Sequence, residues 1–464
     1  MAVLAAYMVP HPPLIVPDIG RGAEAAIANT IDAYREVARR IASVKPDTIV
    51  VISPHQVMYA DYFHLSPGKG AKGDFGRFRA GKVKMEVSYD TEFVGELCIQ
   101  AQAQGLDAGT LGVRGRQDQD LDHGTMVPLY FVNQYWKAYK LVRVGLSGFP
   151  LTAHYALGEC IQETAQILDR NVVVIGSGDL SHRLKEEGPY GFRAEGPKYD
   201  SRIMDVMGRG AFGELLEFPE DFCEKAGECG HRSFTVMAGA LDRMAVKADR
   251  LSYEGPFGVG YGICSYEVTG RDPDRDFLGQ HEEKERERLS VLRAREDGYV
   301  KLARRTIETY VQTRKILPVP KELPDELYTL RAGVFVSVKK EGQLRGCIGT
   351  IQAVQGCLAE EIIQNAVSAC SRDPRFSPIE PKELEQLTIS VDVLGEAKKI
   401  GSPQELDVKR YGVIVKNGRR RGLLLPDLDG VDTVTQQIAI AKQKAGIREE
   451  EDVELERFEV VRHH

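Results

Sequence analysis

The chain carries a single tryptophan among 464 residues, and its eight cysteines are scattered with no C-x-x-C pair. That usage excludes a disulfide scaffold, and it fits reduced thiols in a cytoplasmic protein. No apolar run approaches the roughly 20 residues that span a bilayer, so no membrane association is expected. Lys and Arg total 61 against 68 Asp and Glu, a net charge of −7. There is no basic excess to draw nucleic acid or an anionic membrane surface. The opening MAVLAAYMVPHPPLIVPDIG is apolar but lacks a basic start and is broken by Pro10, Pro12, Pro13 and Pro17. It reads as a first strand and a rigid loop, not a signal peptide.

What is present suits a folded protein of two or three domains: 42% hydrophobic and 28% charged residues leave ample apolar material for cores. Composition shifts once, over Thr269–Glu296, from a Gly/Pro/Asp-rich stretch to a mixed-sign charged run that enters a helical pattern. This predicts a first domain over 1–270, a linker over 271–285 and a second domain over 286–464.

In the first domain, the apolar runs Val3–Val9, Thr48–Ser53, Leu141–Leu146 and Asn171–Ile175 predict strands buried on both faces. Between them lie helical patterns at Gly22–Ala42, Thr91–Gln104, Thr152–Leu168 and Lys198–Gly208. The alternation predicts a three-layer α/β domain. The second domain predicts α+β with a largely antiparallel sheet. Its helices are expected at Tyr299–Arg314, Cys357–Cys370 and Asp432–Ala445. Its strands are expected at Gly333–Lys339, Leu344–Ile348 and Thr388–Leu394, followed by a hairpin turning at Asn417-Gly418.

Three of the ten histidines follow apolar strands: His11, His55 and His182. In an open α/β sheet the loops after the strand carboxyl ends share one crevice, so these three are expected together. Imidazole is the commonest ligand for first-row metals and the commonest acid–base group. His123, in DLDHGTMVPL, precedes a helical segment that Asp122 would cap. Asp118, Asp120 and Asp122 read more simply as a solvated loop than as a cage. The segment KAGECGHRSF offers Glu228, a hard ligand, and Cys229, a soft one, where a helix begins, and local pattern does not choose between them. His64, His154 and His281 receive no role, and His463 and His464 read as a tail.

Taken in order, HPPL at His11, SPH at His55, DHGTMVPL at His123, GDLSH at His182 and the Glu228–His231 segment resemble the class III extradiol ring-cleavage dioxygenase family and its relatives, the Memo proteins. The resemblance spans about residues 1–268. It implies a non-haem Fe(II) held by His11, His55 and Glu228, other divalent metals remaining open. His182 would be the acid–base residue and His123 would line the site. Memo-type members carry Cys-Gly in place of the carboxylate, which matches Cys229-Gly230. The implied substrate is a small catechol- or aminophenol-like aromatic. The alternatives are a metal-dependent bond-cleaving enzyme that works without dioxygen, or a metal-binding interaction protein.

From about residue 285 onward, LRGCIGT at Leu344–Thr350, the SRDPRFSPIEPKELEQLTISVDVL segment and RGLLLP resemble the AMMECR-type domain. The fusion is similar to bacterial systems that include a radical-SAM protein, which by analogy would be a partner. In LRGCIGT, Arg345 and Cys347 could face a groove, with Arg372, Asp373 and Arg375 as a polar rim. The simpler reading is a strand whose glycines pack against a helix. Arg419–Arg421 reads as a solvated hairpin tip.

Overall fold

In the computed structural model, which describes residues 3–111, 120–428 and 430–464, the apolar runs of the first half form four parallel strands. These are β1 (Val3–Val9), β2 (Thr48–Ser53), β3 (Lys140–Gly145) and β4 (Val172–Ser177). Two long strands, β5 (Met244–Glu254) and β6 (Tyr261–Arg271), complete a six-stranded sheet in the order β3-β2-β4-β1-β6-β5. β6 runs antiparallel to both β1 and β5. Every residue of β2 and β4 is buried, because helices cover both faces. Alternate residues face opposite layers. Val50, Ile52, Val172 and Val174 join the core under the helices Thr91–Ala103, Leu151–Ile167, Glu195–Arg209 and His231–Gly239. Ile49, Val51, Val173 and Ile175 join the core under Ala28–Val44 and His123–Val132. This is the three-layer α/β arrangement expected, with an antiparallel extension that the mixed polar pattern of β5 did not announce. A hairpin outside this sheet, Gly70–Phe75 with Ala80–Ser88, was also not expected.

The chain divides into compact units Met1–Glu282 and Glu283–His464. The segment expected as an exposed linker, 271–285, folds into a short turn at Pro273–Arg275 and the beginning of the helix Phe277–Arg295. Opposite charges three residues apart, Glu283 with Arg286 and Glu285 with Arg288, support a helix in a sequence with little apolar content.

The second unit contains β7 (Val334–Lys340), β8 (Gln343–Gly349), β9 (Leu387–Leu394), β10 (Lys398–Ile400), β11 (Tyr411–Asn417), β12 (Arg420–Leu424) and β13 (Glu454–His463). They form an antiparallel sheet ordered β8-β7-β9-β13-β11-β12, with β10 also paired to β13. Gly298–Thr313 and Leu358–Ser371 bury their apolar stripes on one part of it, and Val434–Lys444 packs near β11 and β12.

His463 is therefore not in a tail. It ends the strand that joins the two parts of the sheet, stacks on Tyr299 at 3.8 Å between ring centroids, and pairs with Asp297 Oδ2 at 2.5 Å. Charged residues interleave with Leu455 and Phe458 along β13, which hid the strand. Among the described residues no helix is long and apolar enough to cross a membrane.

Candidate metal centre

The parallel registers put Val9 beside Ser177 and Ile52 beside Gly176, so β1, β2 and β4 end at one edge. His11 and His55 follow β1 and β2 by two residues, and Asp179 follows β4 by two. The fourth element is the turn before the helix His231–Gly239. It approaches because two glycines meet: a Cβ on Gly178 would lie 2.1 Å from Gly230 Cα. That contact sets Cys229 against Asp179. The Asp179 amide donates to Cys229 Sγ at 3.2 Å and the Cys229 amide donates to the Asp179 carbonyl at 3.3 Å.

His11 Nε2 lies 2.9 Å from His55 Nε2 and 3.6 Å from Cys229 Sγ. One ligand atom from each residue falls within 4.8 Å of the others. The neighbours fix the His11 tautomer. Ser177 Oγ gives its one proton to the Gly124 carbonyl at 2.6 Å, so toward His11 Nδ1, 3.0 Å away, it can only accept. The His11 proton therefore sits on Nδ1, and Nε2 turns a lone pair toward His55 and Cys229. Burial holds the pKa of His11 and of His55 below the ordinary histidine value, and each imidazole is neutral, as a metal ligand must be. Burial, then the charges of Asp179 and Glu228, push the Cys229 thiol well up. Two imidazole nitrogens and a sulfur thus converge from three separate elements, a donor set that fits a borderline or soft divalent metal.

Glu228 and Cys229 were open alternatives for the third ligand position. The Glu228 carboxylate turns away from the two histidines and accepts the His231 amide at 2.6 Å, at the start of that residue's helix. Only Cys229 of the pair joins the ligand cluster. Burial raises the Glu228 pKa to about 7.

His123 opens the helix His123–Val132. Its ring packs on His55 at 4.0 Å between centroids and edge-on to His11 at 5.3 Å, outside the ligand cluster. Burial and then the two neighbouring histidines push its pKa down to about 3, so it is neutral. Phe78, in the turn of the extra hairpin, packs on its outer side at 5.5 Å. The His182 Nδ1 donates to the Gly227 carbonyl. Its Nε2 is left free, 3.9 Å from Asp179 Oδ2. The His182 side chain keeps 21% of its exposure, and the exposed Tyr190 ring lies against it at 5.2 Å.

Four supporting residues were not singled out from the sequence. They are Ser177, Asp179, Ser53 and Arg143. Asp179 Oδ1 accepts the His11 amide at 2.8 Å. Ser53 accepts the His55 amide at 3.2 Å and donates to Asp122 Oδ1 at 2.5 Å. Asp122 caps the His123 helix, as expected, through the Thr125 amide and hydroxyl. It also pairs with the buried Arg143 at 2.9 Å. Burial alone would raise its pKa, but Arg143 and these hydrogen bonds hold it down at about 2. A solvated loop is therefore the wrong description for Asp122, although Asp118 lies outside the described residues. One signal was available: Arg143 is a lone charge inside the apolar run LVRVG, which demands a buried anion.

In the second unit, Arg345 spends its guanidinium on Glu383, at 2.9 and 3.0 Å, and on the Ser377 carbonyl. Asp373 accepts the Cys347 amide at 2.9 Å and pairs with Arg375 at 2.7 Å. Arg375 holds the Asp373 carboxyl well below its usual range. Cys347 Sγ accepts from the Ser337 hydroxyl at 3.2 Å. Arg420, at the hairpin tip, pairs with Glu451.

These features define a mixed α/β protein with a histidine–thiol centre at its strand ends, followed by an antiparallel α+β domain. The chain belongs to the family described as the catalytic LigB subunit of aromatic ring-opening dioxygenase, matched over residues 5–264, and carries an AMMECR1 domain over 300–463. A protein of Clostridium acetobutylicum is 40% identical over 468 residues, covering 100% of this chain and 99% of that protein. A Thermotoga maritima protein is 50% identical over 170 residues, 36% of this chain and 98% of its own. A crystal structure of an uncharacterised Escherichia coli protein covers 56% of this chain and 99% of its own, at 13% identity and a TM-score of 0.36.

Proposed function

We propose that the first unit is a metal-dependent enzyme that cleaves a carbon–carbon or carbon–nitrogen bond in a small substrate. In this reading His11, His55 and Cys229 hold the metal, and the reaction does not consume dioxygen. The observation that carries it is the choice at the third position: Cys229 faces both imidazoles while Glu228 is committed to a backbone amide. A thiolate beside activated dioxygen is itself open to oxidation, and it favours a softer metal than a carboxylate does.

A divalent metal bound there would supply Lewis-acid charge to polarise a substrate oxygen. The protein supplies the rest. His182 takes or gives a proton at Nε2, since its Nδ1 proton is committed to Gly227. His123, neutral and packed on the ligands, offers a hydrogen bond rather than a charge. Phe78 and Tyr190 add aromatic surface beside these two histidines.

Family membership supports a second reading, ring opening by Fe(II) and dioxygen. The deciding experiment is metal analysis of anaerobically purified protein together with Glu228→Gln and Cys229→Ser, and dioxygen uptake with a panel of catechols and aminophenols. Metal lost only in Cys229→Ser, with no uptake by the parent, is the expected result. Iron near one per chain with substrate-dependent uptake would establish the second reading. Protein without stoichiometric metal would overturn both.

A further inference from the structure

Between His182 and the helix Glu195–Arg209 the chain leaves the metal centre and comes back to it. The Arg193 amide donates to the Arg183 carbonyl at 3.1 Å, which closes this excursion at its neck into a compact surface loop. Its first limb is fastened to the turn between β5 and β6. The Leu184 amide donates to the Gly258 carbonyl at 3.1 Å, and Lys185 Nζ donates to the Pro256 carbonyl at 2.8 Å. Gly188 is the last anchored point: a Cβ on Gly258 would lie 2.9 Å from Gly188 Cα.

The second limb is held differently. Among the described residues, positions 189–192 make no hydrogen bond outside the loop, and the one inside it runs from the Gly191 amide to the Gly188 carbonyl at 3.3 Å. This limb nevertheless carries two aromatic rings, Tyr190 62% and Phe192 45% exposed, and neither belongs to a core cluster. Gly191 stands between them at φ +70°, in the left-handed region that a side chain would strain, so the tip turns sharply there. Of the two rings, Tyr190 lies on His182, at 5.2 Å between centroids and 55° between planes. The His182 side chain beneath it is 21% exposed. A segment with few buried apolar contacts and only local hydrogen bonds opens at low cost in free energy.

We propose that residues 183–193 form a lid over His182, hinged at Gly188 and at the 183–193 neck, with Tyr190 as the covering side chain. Raised, the lid admits ligand to the metal centre; lowered, it shields His182 Nε2 from water. Its value to the reaction rests on the reading above, in which His182 moves the proton. The cover and the motion belong to the loop itself and are measured without turnover.

Diethyl pyrocarbonate acylates a free imidazole nitrogen and reports the cover. Modification of His182 in the full-length protein is followed by mass spectrometry, with the exposed His464 as internal reference. Tyr190→Ala should speed the reaction at His182 about tenfold or more, the factor expected for an open form populated to about 10% or less in the parent. Tyr190→Phe keeps the ring and should match the parent. Both changes fall on an exposed side chain, so the fold is not at risk. Hydrogen exchange reports the motion. The amides of residues 190–192 should exchange far faster than those of His182 and Leu184, which are bonded to Gly227 and Gly258. An unchanged His182 rate in Tyr190→Ala removes the cover, and equal protection of the two sets of amides makes the loop a fixed wall; either result overturns the lid. Protein without stoichiometric metal would overturn the reading above, while these two measurements still decide the lid.

Discussion

His11 and Ser177 share a hydrogen bond whose direction is fixed by a third group: Ser177 has already given its proton to Gly124, so His11 must donate from Nδ1. Such partners orient a metal-binding imidazole and raise its basicity. Ser177→Ala should therefore weaken metal binding by about 10–100-fold. It should also cost about 1–3 kcal/mol of stability, because the Gly124 carbonyl and His11 Nδ1 both lose a buried partner. Chelator competition and urea unfolding read the two effects separately. Unchanged metal affinity would show that the tautomer is not set through Ser177.

The proton-handling assignment makes a different demand. His182 and His123 lie outside the cluster of His11, His55 and Cys229, so replacing either should leave metal content intact. His182→Gln should lower turnover by about 10²–10⁴-fold, because its Nε2, 3.9 Å from Asp179 Oδ2, is the atom assigned to move the proton while Nδ1 is committed to Gly227. Metal loss in His182→Gln would mean that it is a ligand, and full activity would remove it from the reaction.

The strand-and-histidine plan of this site was legible in the sequence because it rests on local signals. Four apolar runs announce buried strands, and His11, His55 and His182 stand just beyond three of them. The supporting groups were hidden for a physical reason. Asp179 and Cys229 are 50 residues apart, and their contact depends on Gly178 meeting Gly230, which no pattern within either segment reveals. The third ligand position is only partly local: Glu228 accepts the amide of His231 three residues on, at the helix start, but that Cys229 faces the two histidines depends on the same Gly178–Gly230 approach. In the second unit β13 escaped notice because it alternates long charged side chains with few apolar ones. Neighbouring strands on both sides, not intrinsic pattern, make it a strand.

Asp122 links the site to the pH dependence of stability. Its pKa in the folded protein is about 2, depressed from 3.8. A carboxylate depressed on folding contributes stability that is fully present above its unfolded pKa and is lost as pH falls through the folded one. The window runs from just above pH 4 down to about pH 2, and the shift corresponds to about 2 kcal/mol. Asp122→Asn should remove this acid-dependent contribution and strand the buried Arg143, a cost of about 3–5 kcal/mol. Urea midpoints compared between parent and variant from acid to neutral pH should converge as the medium is acidified. Parallel curves would show that Asp122 does not titrate in this range.

The LRGCIGT segment can be separated into what the fold needs and what chemistry would need. A Cβ on Gly346 would lie 2.2 Å from the carbonyl oxygen of Ala369, backbone of the helix Leu358–Ser371 that packs on this part of the sheet. Neither partner is a flexible side chain, so relief requires the helix and β8 to move apart. Gly346→Ala should therefore destabilise the second unit by about 3 kcal/mol or more. Cys347 makes weaker demands. Its amide is held by Asp373 and its sulfur accepts one hydroxyl proton from Ser337, both of which a serine preserves. Cys347→Ser should stay within about 0.5 kcal/mol of the parent. Thermal unfolding of the full-length variants checks both. A stable Gly346→Ala would refute close packing as the reason for that glycine, and a strongly destabilised Cys347→Ser would show that the sulfur itself holds the strand in place.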